Sequence, residues 1–440
     1  MGWNVVIAGG GFGGLYAARR LERVLPASTA QVTLVAADNF LLYAPLLPGA
    51  AAGTLEPRHV VVPLREELHR TDIRVGTVTS CDPALSELSI KTLDGRDDIL
   101  RYDQLIVALG SVSRVLPVPG LAEHGLGFKS IADAIALRNR ALRHLEIAEG
   151  LDDREQRREY LTFVFVGAGY AGLEGIAELQ DFVTAVIHRY PRCRLDGTRW
   201  VLVEALDRVM PEIAPRLADF ATTELRGRGI EIRTGTRLER MGEDYAELST
   251  GERIPTRMLC WTAGVKATPA VQTLGLELDP NGRIVVDRKL RCRSRENVWA
   301  IGDAAAVPDP AQKYEQSCPP TAQHAIRQGR VVAQNVAAEL GHGKTRNFRY
   351  KTRGVFVDMG QHKAVADMAG LKLRGFPAWF AARTYHLLMM PGNARRLRLM
   401  TDWTVGLMFG RAAAELGSLG QPGPLDKSAG QQPDRAGEKP

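Results

Sequence analysis

The chain has 440 residues, a length that fits two or three domains. Its 45% apolar and 24% charged residues are ordinary globular values, and they exclude a disordered chain, a collagen-like repeat and a disulfide-built miniprotein. The formal charge of +7 admits nucleic acid or an anionic membrane as partner and selects neither. The five cysteines, Cys81, Cys193, Cys260, Cys292 and Cys318, form no CxxC or CxxxxC. That spacing excludes a zinc ribbon, an iron–sulfur run and a redox disulfide of neighbouring thiols, and it fits a reducing compartment. No apolar run reaches the roughly 18 residues of a membrane span. The first strand starts almost at the initiator, leaving no room for a signal peptide, so a cytoplasmic protein is expected.

Asn4–Ala8 (NVVIA) is a short apolar, β-branched run. GGGFGG follows, then LYAARRLERVL with apolar residues at helical spacing, and later Val32–Val35 as the next strand. This order predicts a nucleotide-binding βαβ unit. Gly9, Gly11 and Gly14 form GxGxxG around Phe12 and Gly13. The first glycine permits the tight turn, the second lets a pyrophosphate approach the backbone, and the third lets helix and strand pack closely. The helix N-terminus adds free N–H groups and about half a positive charge. The acid expected at the end of the second strand is missing, with Ala36 in its place. Asp38, two residues on, is either a ribose ligand or a solvated turn residue. Tyr102–Gly110 (YDQLIVALG) predicts a buried strand ending in a small-residue turn that holds Ala108 and Gly110.

Thr162–Val166 (TFVFV), GAGYAG and LEGIAELQDFVTAVI repeat the unit, with Gly167, Gly169 and Gly172 at the turn. The next strand, Trp200–Val203, is followed by an acid, Glu204. A carboxylate there accepts hydrogen bonds from the ribose hydroxyls of NAD and repels a 2′-phosphate, so NADH is expected over NADPH. Arg208 nearby keeps NADPH open, and the plainer role of Glu204 is that of a strand-end carboxylate. Met258–Gly264 (MLCWTAG) matches the earlier buried strand and ends on Gly264. Asn297–Asp303 (NVWAIGD) is a further buried strand, with Gly302 and Asp303 at its end. An acid there faces a cofactor crevice or caps a helix. A helix is predicted over about residues 321–340. Two dinucleotide turns in one chain imply two dinucleotides. FAD with a nicotinamide cofactor is the economical pair, because the flavin accepts the hydride that the nicotinamide delivers.

Short strands are predicted from Phe348, then a region rich in Trp, Leu, Met and Arg. From Lys372 to Arg411 seven Lys or Arg stand against one acid, Asp402, a net +6. Phe376–Met390 and Asn393–Gly410 mix large apolar residues with arginine, which suits helices lying in an anionic membrane surface with Trp379 and Trp403 at its boundary. The alternative is a helical subdomain covered by the rest of the chain or by a second copy in a homodimer. The region has no RNA-binding signature, and nucleic acid is not expected. The tail from Gln421 lacks apolar periodicity and is expected to be disordered.

Eight motifs in order are VVIAGGGFGGLYAARRL, NFLLYAPLLPGAAAGTLEP, DQLIVALGS, FVFVGAGYAGLEGIAEL, CWTAGVKATP, NVWAIGDAA, CPPTAQHAIRQG and MGQHKAVADMAG. As a set, reaching to about residue 419, they resemble the type II NADH dehydrogenases. These are non-proton-pumping NADH:quinone oxidoreductases of the two-dinucleotide-binding-domain flavoprotein superfamily. The resemblance implies an α/β fold of two Rossmann-like domains, the NADH domain inserted in the FAD domain, plus a C-terminal membrane-docking segment. On that reading residues 1–120 and 280–350 form the FAD-binding domain. Residues 121–159 are a helical connection, 160–279 the NADH-binding domain, 351–420 the membrane-docking or dimer region, and 421–440 the tail.

The resemblance also implies roles. Gly9, Gly11 and Gly14 lie under the FAD pyrophosphate, Pro45 beside the flavin ring, the Val78 backbone against the adenine, and Asp303 against the ribityl chain. Glu174 reaches between nicotinamide and flavin, where an acid orients the carboxamide or relays a proton. Its plainer role is a first-turn glutamate favoured by the helix dipole. Ala322 and Gln323 match the quinone-site motif. Arg327 replaces that motif's second glutamine, and a guanidinium offers donors but no acceptor to a quinone oxygen or a phospholipid. Lys363 matches a basic residue beside the same pocket, placed to stabilise negative charge on reduced flavin or quinone oxygen, or else is a surface lysine. The expected location is the cytoplasmic side of the cell membrane, held peripherally. Rival functions are a soluble NAD(P)H diaphorase or ferredoxin-type reductase, and a non-catalytic FAD/NADH-binding redox sensor. No metal is expected.

Overall fold

Trp3–Ala8 lies in the middle of a sheet, which is why its residues from Val5 onward are apolar and buried. It pairs in parallel with Ala30–Ala36 on one side and Gln104–Val107 on the other. The full order is Val298–Ala300, Gln104–Val107, Trp3–Ala8, Ala30–Ala36, Asp72–Asp82, Glu87–Thr92 and Asp97–Arg101. The first five are parallel, and the last two are added by antiparallel hairpins. The fold is that of a computed structural model, which describes residues 2–309, 311, 316–352, 354–368 and 370–417. The tail predicted from Gln421 lies outside the described residues.

A second parallel sheet runs in the order Gly125–Gly127, Met258–Trp261, Thr162–Val166, Arg199–Val203 and Ile230–Arg233. All its strands come from between the two parts of the first sheet, so the second unit is inserted in the first. Residues 121–159 are not purely a helical connection, because Gly125–Gly127 is an edge strand of the second sheet.

Helices cover the sheets: α1 (Phe12–Val24), α2 (Ile131–Gly150), α3 (Tyr170–Val186), α4 (Pro215–Gly227) and α5 (Ala322–Glu339). α2 starts with a capping box, in which Asp133 N–H donates to Ser130 Oγ at 3.1 Å and Ser130 N–H donates to the Asp133 carboxylate at 2.8 Å. α5 packs so closely on α1 that a Cβ on Gly329 would stand 2.4 Å from the Gly13 carbonyl oxygen. Each sheet has its own core, the first around Leu34 and Trp299, the second around Phe163 and Trp200, whose rings stack at 4.2 Å.

An antiparallel sheet of Gly354–Asp358, Ala364–Met368 and Leu371–Gly375 follows, then α6 (Phe376–Met389) and α7 (Asn393–Met408). Among the described residues no helix is long and apolar enough to cross a membrane. Trp379 does not sit at an outer boundary. It is buried with Ala364, Ala366 and Ala378. Trp403 also turns inward, and the Arg383 guanidinium lies 4.3 Å from the Trp379 ring and 4.9 Å from the Trp403 ring. Two further cations of this region are committed inside: Arg395 is buried against Glu66 and Glu67, and Arg411 pairs with Asp181 at 2.5 Å. The exposed face of α6 and α7 is largely apolar, with Phe376, Phe380, Leu397, Leu407 and Met408 all open and Arg398 among them.

Candidate functional site at the junction of the two units

Each parallel sheet carries a glycine turn at its carboxyl edge, and the two match in detail. Gly9 and Gly167 have φ of +118° and +104°, and side chains there would strike Ala108 O at 2.2 Å and Ala263 N at 2.7 Å. A Cβ on Gly14 would stand 1.8 Å from Gly9 O, and one on Gly172 would stand 1.8 Å from Gly167 O. These contacts hold strand and helix together. Gly11 and Gly169, the N-caps of α1 and α3, differ: among the described residues, a Cβ at either meets no atom within 4 Å beyond its own chain neighbours. Two helix N-termini therefore face open space that the backbone leaves free, which fits the pyrophosphate of a dinucleotide at each. Gly110 and Gly264, just beyond the partner strands, border similar open space.

Around the first turn, Phe12 opens α1 and meets Tyr43 edge to face at 5.8 Å. Ala36 is packed against Gly10, where an added Cβ would lie 2.6 Å from that of Ala36, so this contact requires glycine at position 10. Asp38 is exposed in the loop that follows. Val78 is buried just past Val75, the last residue paired to Ala36, where its strand turns to pair with Ile90. The Gly302 N–H donates to Gln328 Oε1 at 2.7 Å. Asp303 accepts from Ser111 Oγ at 2.5 Å, and Lys129 Nζ donates to the same hydroxyl at 2.8 Å. Burial lowers the Lys129 pKa, and the Asp303 carboxylate opposes that shift. Sequence reasoning missed Ser111 and Lys129. The signal was the capping box at Ser130, which anchors the lysine just before it.

At the second turn Glu204 accepts from Ala168 N–H at 2.6 Å and from Leu206 N–H at 2.9 Å, so it braces the glycine loop. Arg208 is bound to carbonyls of its own loop, Pro211 O at 2.5 Å and Ile213 O at 3.1 Å.

The two units meet at a cavity of about 40 Å³ whose lining includes Pro45 from the first, Glu174 and Glu178 from α3, Asp358, Arg383 and His386. Glu174 Oε1 accepts from Asp358 N–H at 2.9 Å. Burial drives the Glu174 carboxyl well above the usual range and pushes Glu178, one turn on, up to about 7. It also raises Asp358, against the pull of Arg383. Among the described residues, Glu178 Oε2 is buried without a hydrogen-bond partner. Burial takes His386 down to about 4, so its ring is neutral near pH 7.

Ala322 begins α5, and Gln323 is held at both ends of its amide. Nε2 donates to Gly354 O at 2.9 Å, and Oε1 accepts from Tyr350 OH at 2.6 Å. Arg327 lies 4.1 Å over the Tyr350 ring and donates to Gln323 O at 2.9 Å. Lys363 is not in this neighbourhood. It pairs with Glu224 of α4 at 2.5 Å, at the turn end of the Gly354–Met368 hairpin, whereas Gln323 contacts the opposite end. All five cysteines are free and buried, and burial pushes the Cys318 thiol up to about 12.

Two parallel sheets with matched glycine turns and a shared cavity define a pyridine-nucleotide oxidoreductase. Residues 3–329 match the family model described as pyridine nucleotide-disulphide oxidoreductase, and the chain belongs to that family. Within it the chain belongs with the type II NADH:quinone oxidoreductases. It is 32% identical to Ndh of Mycobacterium tuberculosis, covering 93% of this chain and 89% of that one. It is 31% identical to NdhA of the same organism, over 95% and 90% of the two chains. The type II NADH:quinone oxidoreductase of Staphylococcus aureus is 27% identical over 86% and 92%. The solved structure of Plasmodium falciparum NDH2 in complex with NADH shares the fold, with a TM-score of 0.86 at 19% identity over 94% of this chain and all of that one.

Proposed function

We infer from the site and the family that the chain is an oxidoreductase that moves electrons from NADH through a flavin to a quinone. The carrying observation is the cavity lined jointly by Pro45 and Glu174, which joins the two glycine-turn units. We assign FAD to the first unit: Gly9, Gly11 and Gly14 under its pyrophosphate, Val78 at the adenine, Asp303 at the ribityl chain, and Ala108, Gly110 and Gly302 lining the bed. NADH falls to Gly167, Gly169, Gly172 and Gly264, with Glu204 at the ribose hydroxyls. A carboxylate at Glu204 repels a 2′-phosphate, and Arg208 is tied through Nη2 to carbonyls of its own loop, which favours NADH over NADPH. A flavin held by these residues would supply hydride acceptance from the nicotinamide and electron transfer onward to the quinone.

The protein's part is positioning and protons. Burial raises the Glu174 carboxyl and so favours its neutral form, the form that donates a hydrogen bond to a carboxamide. Gln323 offers an amide to a quinone oxygen, and Arg327, locked over Tyr350, forms the wall behind it. Lys363, paired with Glu224, takes no part. The apolar face of α6 and α7 docks peripherally on the cytoplasmic side of the membrane. The test is turnover of the purified yellow protein with NADH against a panel of menaquinone, a short-chain quinone and ferricyanide. Quinone reduction with NADH well ahead of NADPH is expected. A colourless protein that cannot be reconstituted with flavin, or equal rates with NADPH, overturns the assignment.

A further inference from the structure

A cleft of about 710 Å³, the size of a small-ligand site, lies along α1 and α5 and shares no lining residue with the junction cavity. Arg19, Arg20 and Arg23 line it from α1, and Arg327 and Arg330 from α5. Arg346 and Arg349 join from the segment after α5, and Arg396 from α7. Among the described residues only one of these guanidinium groups has a carboxylate partner, Arg19, 3.2 Å from Glu67. Arg330 lies 5.3 Å over Tyr16, and among the described residues Arg20 Nε is buried without a hydrogen-bond partner. Arg23, Arg346 and Arg349 are exposed. Arg396 donates to Met390 O and Leu388 O, and Arg327 to Gln323 O, but carbonyls carry no net charge, so the positive charge gathered in this concave surface repels itself and attracts an anion. Guanidinium is also the group that best matches a phosphate, in paired hydrogen bonds.

The cleft is not polar throughout. Val331, Phe348, Leu388 and Met389 supply an apolar wall. Leu388 is 63% exposed and belongs to α6, whose Phe376 and Phe380 are also open. A free polyphosphate would satisfy the arginines and leave that wall against water. A phospholipid satisfies both, with phosphate on the guanidinium groups and acyl chain over the Leu388 and Met389 side chains. We propose that the α1–α5 cleft binds the headgroup of an anionic phospholipid whose acyl chains continue along the apolar face of α6 into the bilayer. The choice of a lipid rests on the membrane-docking reading above, and the anion preference rests on the arginines alone.

The test uses the flavin-loaded full chain and calorimetric titration with water-soluble dihexanoyl phosphatidylglycerol. Dihexanoyl phosphatidylcholine and inorganic pyrophosphate are the comparison ligands. The glycerol lipid binds, the choline lipid does not, and pyrophosphate binds more weakly. Arg23→Gln/Arg346→Gln weakens the anionic lipid roughly thirtyfold, the product of two cations near anionic headgroups. Arg349→Gln alone weakens it less, and serves if the double variant does not fold. NADH oxidation with a water-soluble quinone stays at the parent rate in both. Equal binding of the two lipids, or unchanged affinity in the folded variants, overturns the proposal. Pyrophosphate binding as tight as the anionic lipid overturns its lipid part. Loss of quinone turnover in the parent chain with lipid binding intact refutes the redox reading only.

Discussion

Replacing Glu178 by glutamine removes one titrating group from the junction cavity and keeps the side-chain volume. Glu178 is 4% exposed. It shares α3 with Glu174 and Asp181, and around it stand Asp358 from the hairpin, Arg383 from α6, Arg411 beyond α7 and Arg228 after α4. Burial is the largest influence and lifts its pKa from 4.5 to about 7. Between those values the unfolded chain has lost the proton and the folded chain keeps it, so stability falls as pH rises through that window and levels off above it. The loss is on the order of 3 kcal/mol, from about 1.4 kcal/mol per pH unit. Glu178→Gln does not titrate and escapes it. Urea unfolding followed by circular dichroism at about pH 5 and about pH 8.5 should show variant and parent close at the lower pH, with the variant more stable by roughly that amount at the higher. Parallel curves would refute the reasoning. A variant less stable than the parent at high pH would show Glu178 ionised against Arg383 and Arg411.

Gly172→Ala drives a Cβ to 1.8 Å from Gly167 O and 2.5 Å from Thr262 Oγ1, so KM for NADH should rise tenfold or more, by order of magnitude, with flavin content unchanged. Glu204→Ala removes the acceptor for Ala168 and Leu206 N–H, and KM should rise about tenfold for NADH and less for NADPH. Gly329→Ala meets the Gly13 carbonyl oxygen at 2.4 Å and should cost about 1–3 kcal/mol, read as a lower Tm. Lys363→Ala should leave KM for quinone within about twofold of the parent value, because its partner is Glu224.

Both glycine turns were legible because their requirement is local: strand, close backbone approach and helix occupy consecutive residues. The place of Glu204 at the strand end was legible for the same reason, though its bonds to Ala168 and Leu206 N–H were not. What escaped depends on partners far along the chain. Lys363 finds Glu224 across 139 residues, and Ser111 meets Asp303 across 192. Trp379 and Arg383 sit in a stretch whose composition suits a membrane surface, but the neighbouring hairpin decides which side of α6 is buried. Gly125–Gly127 has three residues, two of them glycine, and no alternation to reveal a strand.

The strand Val298–Ala300 closes the first sheet beside Gln104–Val107, yet the whole second unit lies between them in the chain. During synthesis the N-terminal half-sheet emerges with one edge bare and without α5 to back α1. It waits there while the inserted unit, whose strands are all its own, leaves the ribosome and folds. A nascent chain stalled before residue 298 therefore has all five strands of the second sheet beside a first sheet that still lacks its edge strand, and both units await the later hairpin and α5.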